Sequence, residues 1–268
     1  MFRRTHRGSS WLAVLAALGL LLVAGAVWVA VFADFQQASV DPKTSSGAAS
    51  ATSSSPSSSA SGGASQEDGW SMGDARTALS APDSRVLVLG DSTGDHPEEW
   101  VHQWAATREM PVAAWRTQSE DGYDGETPET RVWSGSMPGS TADYFEDHDE
   151  AIWPEQDPDL VILNYGHNYD SPEAAVTSME ALRGRLTEAV PEAPIVVTLQ
   201  NPQADDANAP TREAIADWAK EQGLPTIDVA KAFTQSLLLP EDLRVDSLHP
   251  SLAGTEVWVA AVSKALGD

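Results

Sequence analysis

Cysteine is absent from the 268-residue chain. That excludes disulfide stapling and lipid attachment through a thioether, while leaving the compartment open. Basic residues are scarce: 16 Lys and Arg stand against 40 Asp and Glu, a formal net charge of −24 at pH 7. No basic stripe exists to neutralise phosphates, so nucleic acid is excluded as a partner. Acidity on this scale mainly serves solubility and repels anionic surfaces. Metal-ligand spacing is missing as well. The run Glu146-Asp147-His148-Asp149-Glu150 reads as a solvated helix face. Asp91, Asp95 and His96 match no known metal site in their spacing, so neither a metal nor a cofactor is expected. There is no internal repeat.

The longest uncharged stretch present is Trp11 to Phe32, 22 residues. At about 1.5 Å per residue, a helix of that length spans the roughly 30 Å hydrocarbon core of a bilayer. Arg3, Arg4 and Arg7 precede it and Asp34 is the first charge after it. That bias predicts a cytoplasmic N-terminus (1–10), a signal anchor (11–32) and an exported remainder, a single-pass protein at the cell membrane. The alternative is a signal peptide cleaved near Ala33, giving a secreted protein. Signal-peptide apolar cores usually run about 7–15 residues, so the length favours the anchor.

Residues 33–69 are rich in Ser, Ala and Gly, most densely from Lys43 to Asp68. They bury too little apolar surface to offset their ordering entropy, which predicts a flexible linker with a reach of about 25–30 Å. Residues 70–268 then read as one domain. Strands are expected at Arg85–Leu89, Val112–Trp115, Asp159–Tyr165, Ile195–Leu199 and Thr226–Val229. Asp159–Tyr165 shows no polar alternation, which implies burial on both faces. Helices are expected at Pro97–Glu109, Thr141–Ile152, Ser171–Val190, Thr211–Glu221 and Ser251–Leu266. Ser171 and Pro172 supply an N-cap and a first-turn proline, and Gly223 a stop. Asp121–Arg131 reads as a surface loop. Strands alternating with helices predict a parallel sheet covered on both faces, with about five strands in a flavodoxin-like order.

Gly90-Asp91-Ser92 follows the apolar run Val86-Leu87-Val88-Leu89 and so presents a serine at the carboxyl edge of that sheet. A serine hydroxyl is a weak nucleophile until an adjacent base takes its proton. His249 can serve near neutral pH. Asp246, three residues earlier, can reach the other ring nitrogen through a single turn and stabilise the imidazolium. Pro250 biases His249 away from the α region, ahead of the last helix. The catalytic candidates are therefore Ser92, His249 and Asp246.

Four short blocks occur in order: Gly90-Asp91-Ser92, Gly139 within Ser136-Met137-Pro138-Gly139-Ser140-Thr141, Gly166-His167-Asn168, and Asp246-Ser247-Leu248-His249-Pro250. Together they resemble the GDSL/SGNH hydrolases, esterases and lipases on a flavodoxin-like three-layer α/β/α fold. The resemblance covers the whole domain. It implies an oxyanion hole made by the Ser92 amide, the Gly139 amide and the Asn168 side chain. Two departures stand out. The family's Gly-x-Asn-Asp reads Gly166-His167-Asn168-Tyr169 here, and Gly-Asp-Ser-Leu reads Gly-Asp-Ser-Thr at 90–93.

His167, Tyr169 and Trp133 lie near the expected site edge and are candidates for substrate contact, since aromatic faces beside polar groups suit sugar rings. No long apolar lid is evident, which argues against long acyl chains. The expected activity is extracytoplasmic hydrolysis of small acyl esters, above all acetyl, on envelope or extracellular glycans. An O-acyltransferase using the same triad, or a non-catalytic envelope-binding domain on the same fold, are the alternatives. The expected partners are an acylated small molecule or glycan, and a membrane through the N-terminal helix.

Overall fold

A computed structural model describes residues 69–115, 122–148 and 153–267, all within one unit of the chain. The expected cytoplasmic segment, membrane anchor and nearly all of the linker lie outside the described residues. Among the described residues, no helix is long and apolar enough to cross a membrane.

Three mostly apolar runs lie in the inner part of the sheet: β1 (Val86–Gly90), β5 (Leu160–Asn164) and β6 (Ile195–Leu199). Every residue of the three is buried, the pattern of parallel strands covered on both faces. The others are β2 (Val112–Trp115), β3 (Tyr123–Asp124), β4 (Val132–Ser136) and β7 (Thr226–Asp228). Their order in space is β3-β2-β4-β1-β5-β6-β7, parallel throughout except for β2 against β3.

Five of the seven, β4-β1-β5-β6-β7, follow the flavodoxin-like order 2-1-3-4-5. The expected order is therefore present, but the count and one identity change. Val112–Trp115 does not lie beside β1; β4 does, and β2 pairs outside it. β4 reads VWSGS, and its Ser-Gly-Ser end looks like a turn. Burial explains why it is a strand. The Ser134 hydroxyl donates to the Gly94 carbonyl at 2.8 Å, so its polarity is satisfied inside. At Gly135 a Cβ would stand 2.6 Å from Leu89 Cδ2, so any larger residue would force that buried side chain to move. β3 lies within the stretch 121–131 expected as loop, with Trp115 opposite Tyr123.

The helices are α1 (Met72–Ala78), α2 (Trp100–Thr107), α3 (Tyr144–Asp147), α4 (Pro172–Ala189), α5 (Ala209–Glu221), α6 (Val229–Thr234) and α7 (Leu252–Leu266). The period-two alternation of the strands sorts the core into two layers. Leu87, Leu89, Val161, Leu163, Ile195 and Val197 pack under α4 and α5, with Met179, Leu182 and Trp218. Val86, Val88, Leu160, Ile162 and Val196 pack on the other face, with Trp100, Trp104, Phe233 and Trp258. The Trp100 and Trp258 rings stack at 5.8 Å and join α2 to α7.

Two helices are shorter than expected. α2 begins at Trp100 rather than Pro97, because the 92–99 segment is spent on the turn that follows β1. α3 covers only Tyr144–Asp147, and the Thr141 hydroxyl pairs with the Asp143 carboxylate instead of capping a helix. Residues 149–152 lie outside the described set. α4 and α7 keep their predicted N-caps: Ser171 and Ser251 each accept a backbone N–H at 3.2 Å, from Ala174 and Gly254.

The first turn of α7 is pressed against Leu243, where Ser251 N–H donates to the Leu243 carbonyl at 3.0 Å. A Cβ on Gly254 would collide with that same carbonyl oxygen, which is backbone and cannot swing away. Gly254→Ala is therefore expected to cost about 1–3 kcal/mol, the range for overpacking. Chemical denaturation of the variant beside the wild type measures it, and an unchanged midpoint would contradict the packing argument.

Candidate active site

The carboxyl ends of β1, β4, β5 and β6 lie at one edge of the sheet, and four loops leave from there. The first carries Asp91 and Ser92. Asp91 is fully buried. Its carboxylate receives the Gln200 amide at 3.1 and 3.0 Å, the Thr93 N–H at 3.1 Å and the Thr93 hydroxyl at 2.9 Å. Asn164 donates to the Thr93 hydroxyl at 2.8 Å and accepts from Thr198 at 2.5 Å. Gln200, just after β6, and Thr93 thus satisfy a buried acid, and Asn164 at the end of β5 holds Thr93 in turn, so the residues on either side of Ser92 are fixed.

Ser92 itself is half-buried, and its hydroxyl donates to His249 Nε2 at 2.8 Å. His249 Nδ1–H donates to Asp246 Oδ2 at 2.8 Å. The other carboxylate oxygen, Oδ1, accepts the backbone N–H of Leu248 and of His249, each at 2.7 Å. This is an Asx-type turn: the short Asp side chain closes its own loop and still presents Oδ2 to the imidazole. The hydrogen bond from His249, helped by the two backbone donors, holds the Asp246 carboxyl down to about 2. With Nδ1 carrying the proton, Nε2 offers a lone pair to the serine.

Gly139 lies in a turn closed by Ser140 N–H on the Met137 carbonyl at 3.2 Å. Pro138 and Gly139 occupy its two central positions, and the φ of +74° at Gly139 is that of a type II turn, which disfavours any side chain there. The turn is pinned to the end of β1. Met137 N–H and the Ser140 hydroxyl both donate to the Gly90 carbonyl, at 2.9 and 3.1 Å. Asn168 joins the same turn, its side-chain N–H donating to the Ser140 carbonyl at 2.9 Å. Its second amide hydrogen stays free to point elsewhere. Gly90, Gly139 and Asn168 are thereby stitched into one unit. Among the described residues, the amide N–H groups of Ser92 and Gly139 donate to no protein group.

The three candidates for substrate contact have other partners. His167 is buried, at 8% exposure, and its Nε2–H donates to the Asn201 carbonyl at 3.0 Å. Burial pushes its pKa down, so the ring is neutral. Trp133 is 1% exposed within β4, and its indole N–H donates to Glu126 at 2.8 Å. The Tyr169 hydroxyl accepts from Ala142 N–H and from the Ser178 hydroxyl, both at 3.0 Å, and burial pushes its pKa up to about 12. All three brace the loops from inside rather than line a rim. Residues that the sequence reading passed over, Thr93, Ser140, Asn164, Gln200 and Asn201, carry much of the framework. The one available signal was that Gln200-Asn201 directly follows a buried strand. Among the described residues, no three His, Cys, Asp or Glu side chains are grouped to hold a metal.

A sequence model of the GDSL-like lipase/acylhydrolase family matches residues 88–257. No curated protein sequence matches the chain. Several solved structures share the fold. One, a GDSL-like lipase from Parabacteroides merdae, is 17% identical, with a TM-score of 0.54 over 69% of this chain and 96% of that one. A carbohydrate esterase of family 3 from Talaromyces cellulolyticus is also 17% identical, with a TM-score of 0.53 over 68% and 96%. A Geobacillus acetyl-xylooligosaccharide esterase is 19% identical, with a TM-score of 0.51 over 69% and 94%.

Beyond the turn that carries Ser92, Glu99 is half-buried beside Asp95, and its carboxylate accepts the His96 N–H at 3.0 Å. Burial pushes its carboxyl up to about 8. A carboxyl raised on folding contributes stability fully present below its unfolded value, near 4.5, and lost as pH rises through about 8. Glu99→Gln is therefore expected to lessen the fall in melting temperature between pH 5 and pH 9. Parallel pH–stability curves for variant and wild type would contradict it.

Proposed function

The chain belongs to the GDSL-like lipase/acylhydrolase family, and from that premise we propose a serine carboxylester hydrolase that removes small acyl groups, acetyl above all, from glycans. The observation that carries this reading is the line from Ser92 through His249 to Asp246, two hydrogen bonds of 2.8 Å each. In the first half-reaction the Ser92 oxygen attacks the ester carbonyl as His249 Nε2 takes the hydroxyl proton. Asp246 holds the ring orientation and faces the positive charge that develops on it. The carbonyl oxygen becomes an oxyanion, for which Ser92 N–H, Gly139 N–H and the Asn168 amide are the donors in this reading.

Collapse of the tetrahedral adduct breaks the bond to the leaving alcohol, which receives the proton from His249. An acyl group then remains on Ser92. Water attacks it with His249 as base, and the carboxylic acid leaves as the serine regains its proton. Asp246, with its carboxyl held to about 2, stays ionised throughout. The acid limb of the rate profile is therefore not set by this carboxyl.

The acetylated-glycan assignment draws on the fold relative from Geobacillus, an acetyl-xylooligosaccharide esterase. An extracytoplasmic site, tethered through residues 11–32, draws on the 22-residue uncharged run and the arginines before it.

With p-nitrophenyl acetate, Ser92→Ala is expected to lower kcat by about 10³-fold or more. Asn168→Ala should lower kcat by about 10²-fold with little change in KM, because an oxyanion donor acts mainly in the transition state. Equal rates for Ser92→Ala and wild type would overturn the reading. Acetate release from acetylated xylan or mannan tests the substrate class, and no release from either would remove the glycan assignment. The mature N-terminus, read by mass spectrometry, distinguishes a retained anchor from cleavage near Ala33.

A further inference from the structure

Asp246 and His249 sit on an exposed loop. Their side chains are 51% and 37% accessible, and the hydrogen bonds of the Asp246 carboxylate all fall within the loop itself. Such a loop can keep its internal turn and still drift as a body away from Ser92. A displacement of about 1 Å at a reacting group is enough to cost roughly a hundredfold in rate. Something outside the loop must therefore fix its position.

Two of the loop's carbonyls are held from outside, both by the segment that leaves β6. Asn201 donates its side-chain amide to the Leu248 carbonyl at 3.0 Å, and Ala204 N–H donates to the Ser247 carbonyl at 2.7 Å. Leu248 is the residue directly before His249. Asn201 is fully buried, and its own carbonyl is gripped twice, by His167 Nε2–H at 3.0 Å and by the Asn208 amide at 3.2 Å. The Gln203 amide closes the connection by donating to the His167 carbonyl at 3.1 Å. His167 is the neighbour of Asn168. A short buried chain of hydrogen bonds thus runs from the loop with Asn168, through Asn201, to the loop with His249.

We propose that Asn201 is a positioning residue for His249, and that His167 sets Asn201 in place, so that the base loop and the Asn168 loop keep a fixed spacing. Neither residue reaches substrate. The proposal rests on the hydrolase reading for its kinetic consequences, but its geometric content stands apart from it. The His167 ring is suited to this task because it is neutral: Nε2 faces a carbonyl and must carry the hydrogen. A glutamine at 167 can offer an amide N–H in the place of Nε2–H, whereas a phenylalanine fills the space and donates nothing.

The test compares full-length wild type, Asn201→Leu, His167→Phe and His167→Gln. Asn201→Leu and His167→Phe are expected to lower kcat for p-nitrophenyl acetate by about 10- to 100-fold, with KM within about twofold. His167→Gln should recover most of that loss, although its melting temperature need not recover with it. The imidazole NMR signal of His249, assigned by comparison with His249→Ala, should shift or broaden in the first two variants and return toward wild type in the third. Unchanged kcat and an unchanged His249 signal in folded Asn201→Leu and His167→Phe would overturn the proposal. So would equal losses in His167→Phe and His167→Gln. If wild type is no faster than Ser92→Ala, the hydrolase reading fails, and the His249 signal alone then decides the positioning role. Should Asn201→Leu not fold, the His167 pair supplies the same comparison.

Discussion

A carboxylate buried without a cation has to be met by neutral donors, and the site end of this sheet is organised around that requirement at Asp91. The donors are Gln200 and Thr93, with Thr93 held in turn by Asn164, so the ends of β1, β5 and β6 are drawn together at one point. Ser92 lies between two residues of that cluster. Its backbone direction follows from the packing of a buried polar network rather than from any contact of its own. Both oxygens of the acid have donors, while Gln200 Oε1, on the far side of the same amide, has no partner among the described residues.

The parts of the site are held in different ways. The turn bearing Gly139 is built onto β1, because Met137 and Ser140 both donate to the Gly90 carbonyl. Asn168 attaches to that turn through Ser140. The acid–base loop is local and exposed, shaped by Asp246 closing on the two backbone amides that follow it. The contrast has a functional sense in the hydrolase reading. Donors awaiting an oxyanion need preorganisation, while a histidine that passes protons in two directions needs a defined place and some access to solvent.

Much of this was legible from residue order. β1, β5 and β6 are apolar runs too continuous to be anything but central strands. Ser171-Pro172 and Ser251 mark helix starts by chemistry that works locally. Asp246 and His249 meet because three residues and one turn suffice, and the Asx-type closure could be anticipated from the sequence alone. β4 was not legible. Its Ser134, Gly135 and Ser136 have turn composition, and only the fit against Leu89 and the bond to the Gly94 carbonyl make them a strand. His167 and Tyr169 follow β5 at the site end of the sheet, yet their polar atoms bond to neighbouring loops and α4, while Trp133 sits second in β4, opposite Leu87 and away from that end; position along a chain does not tell which way a side chain points.

What the sequence by itself determined is therefore the local chemistry: the apolar runs, the caps at Ser171 and Ser251, and the reach of Asp246 to His249 through a single turn. Each depends on residues a few positions apart, whose geometry is constrained whatever the rest of the chain does. Only the tertiary structure decided that β4 lies beside β1, that Gln200 faces Asp91 across 109 positions, and that Asn201 spans 47 positions to Leu248. Those pairings join segments brought together by burial of the sheet's two apolar faces. A hydrogen bond between such segments leaves no mark in the spacing of residues along the chain.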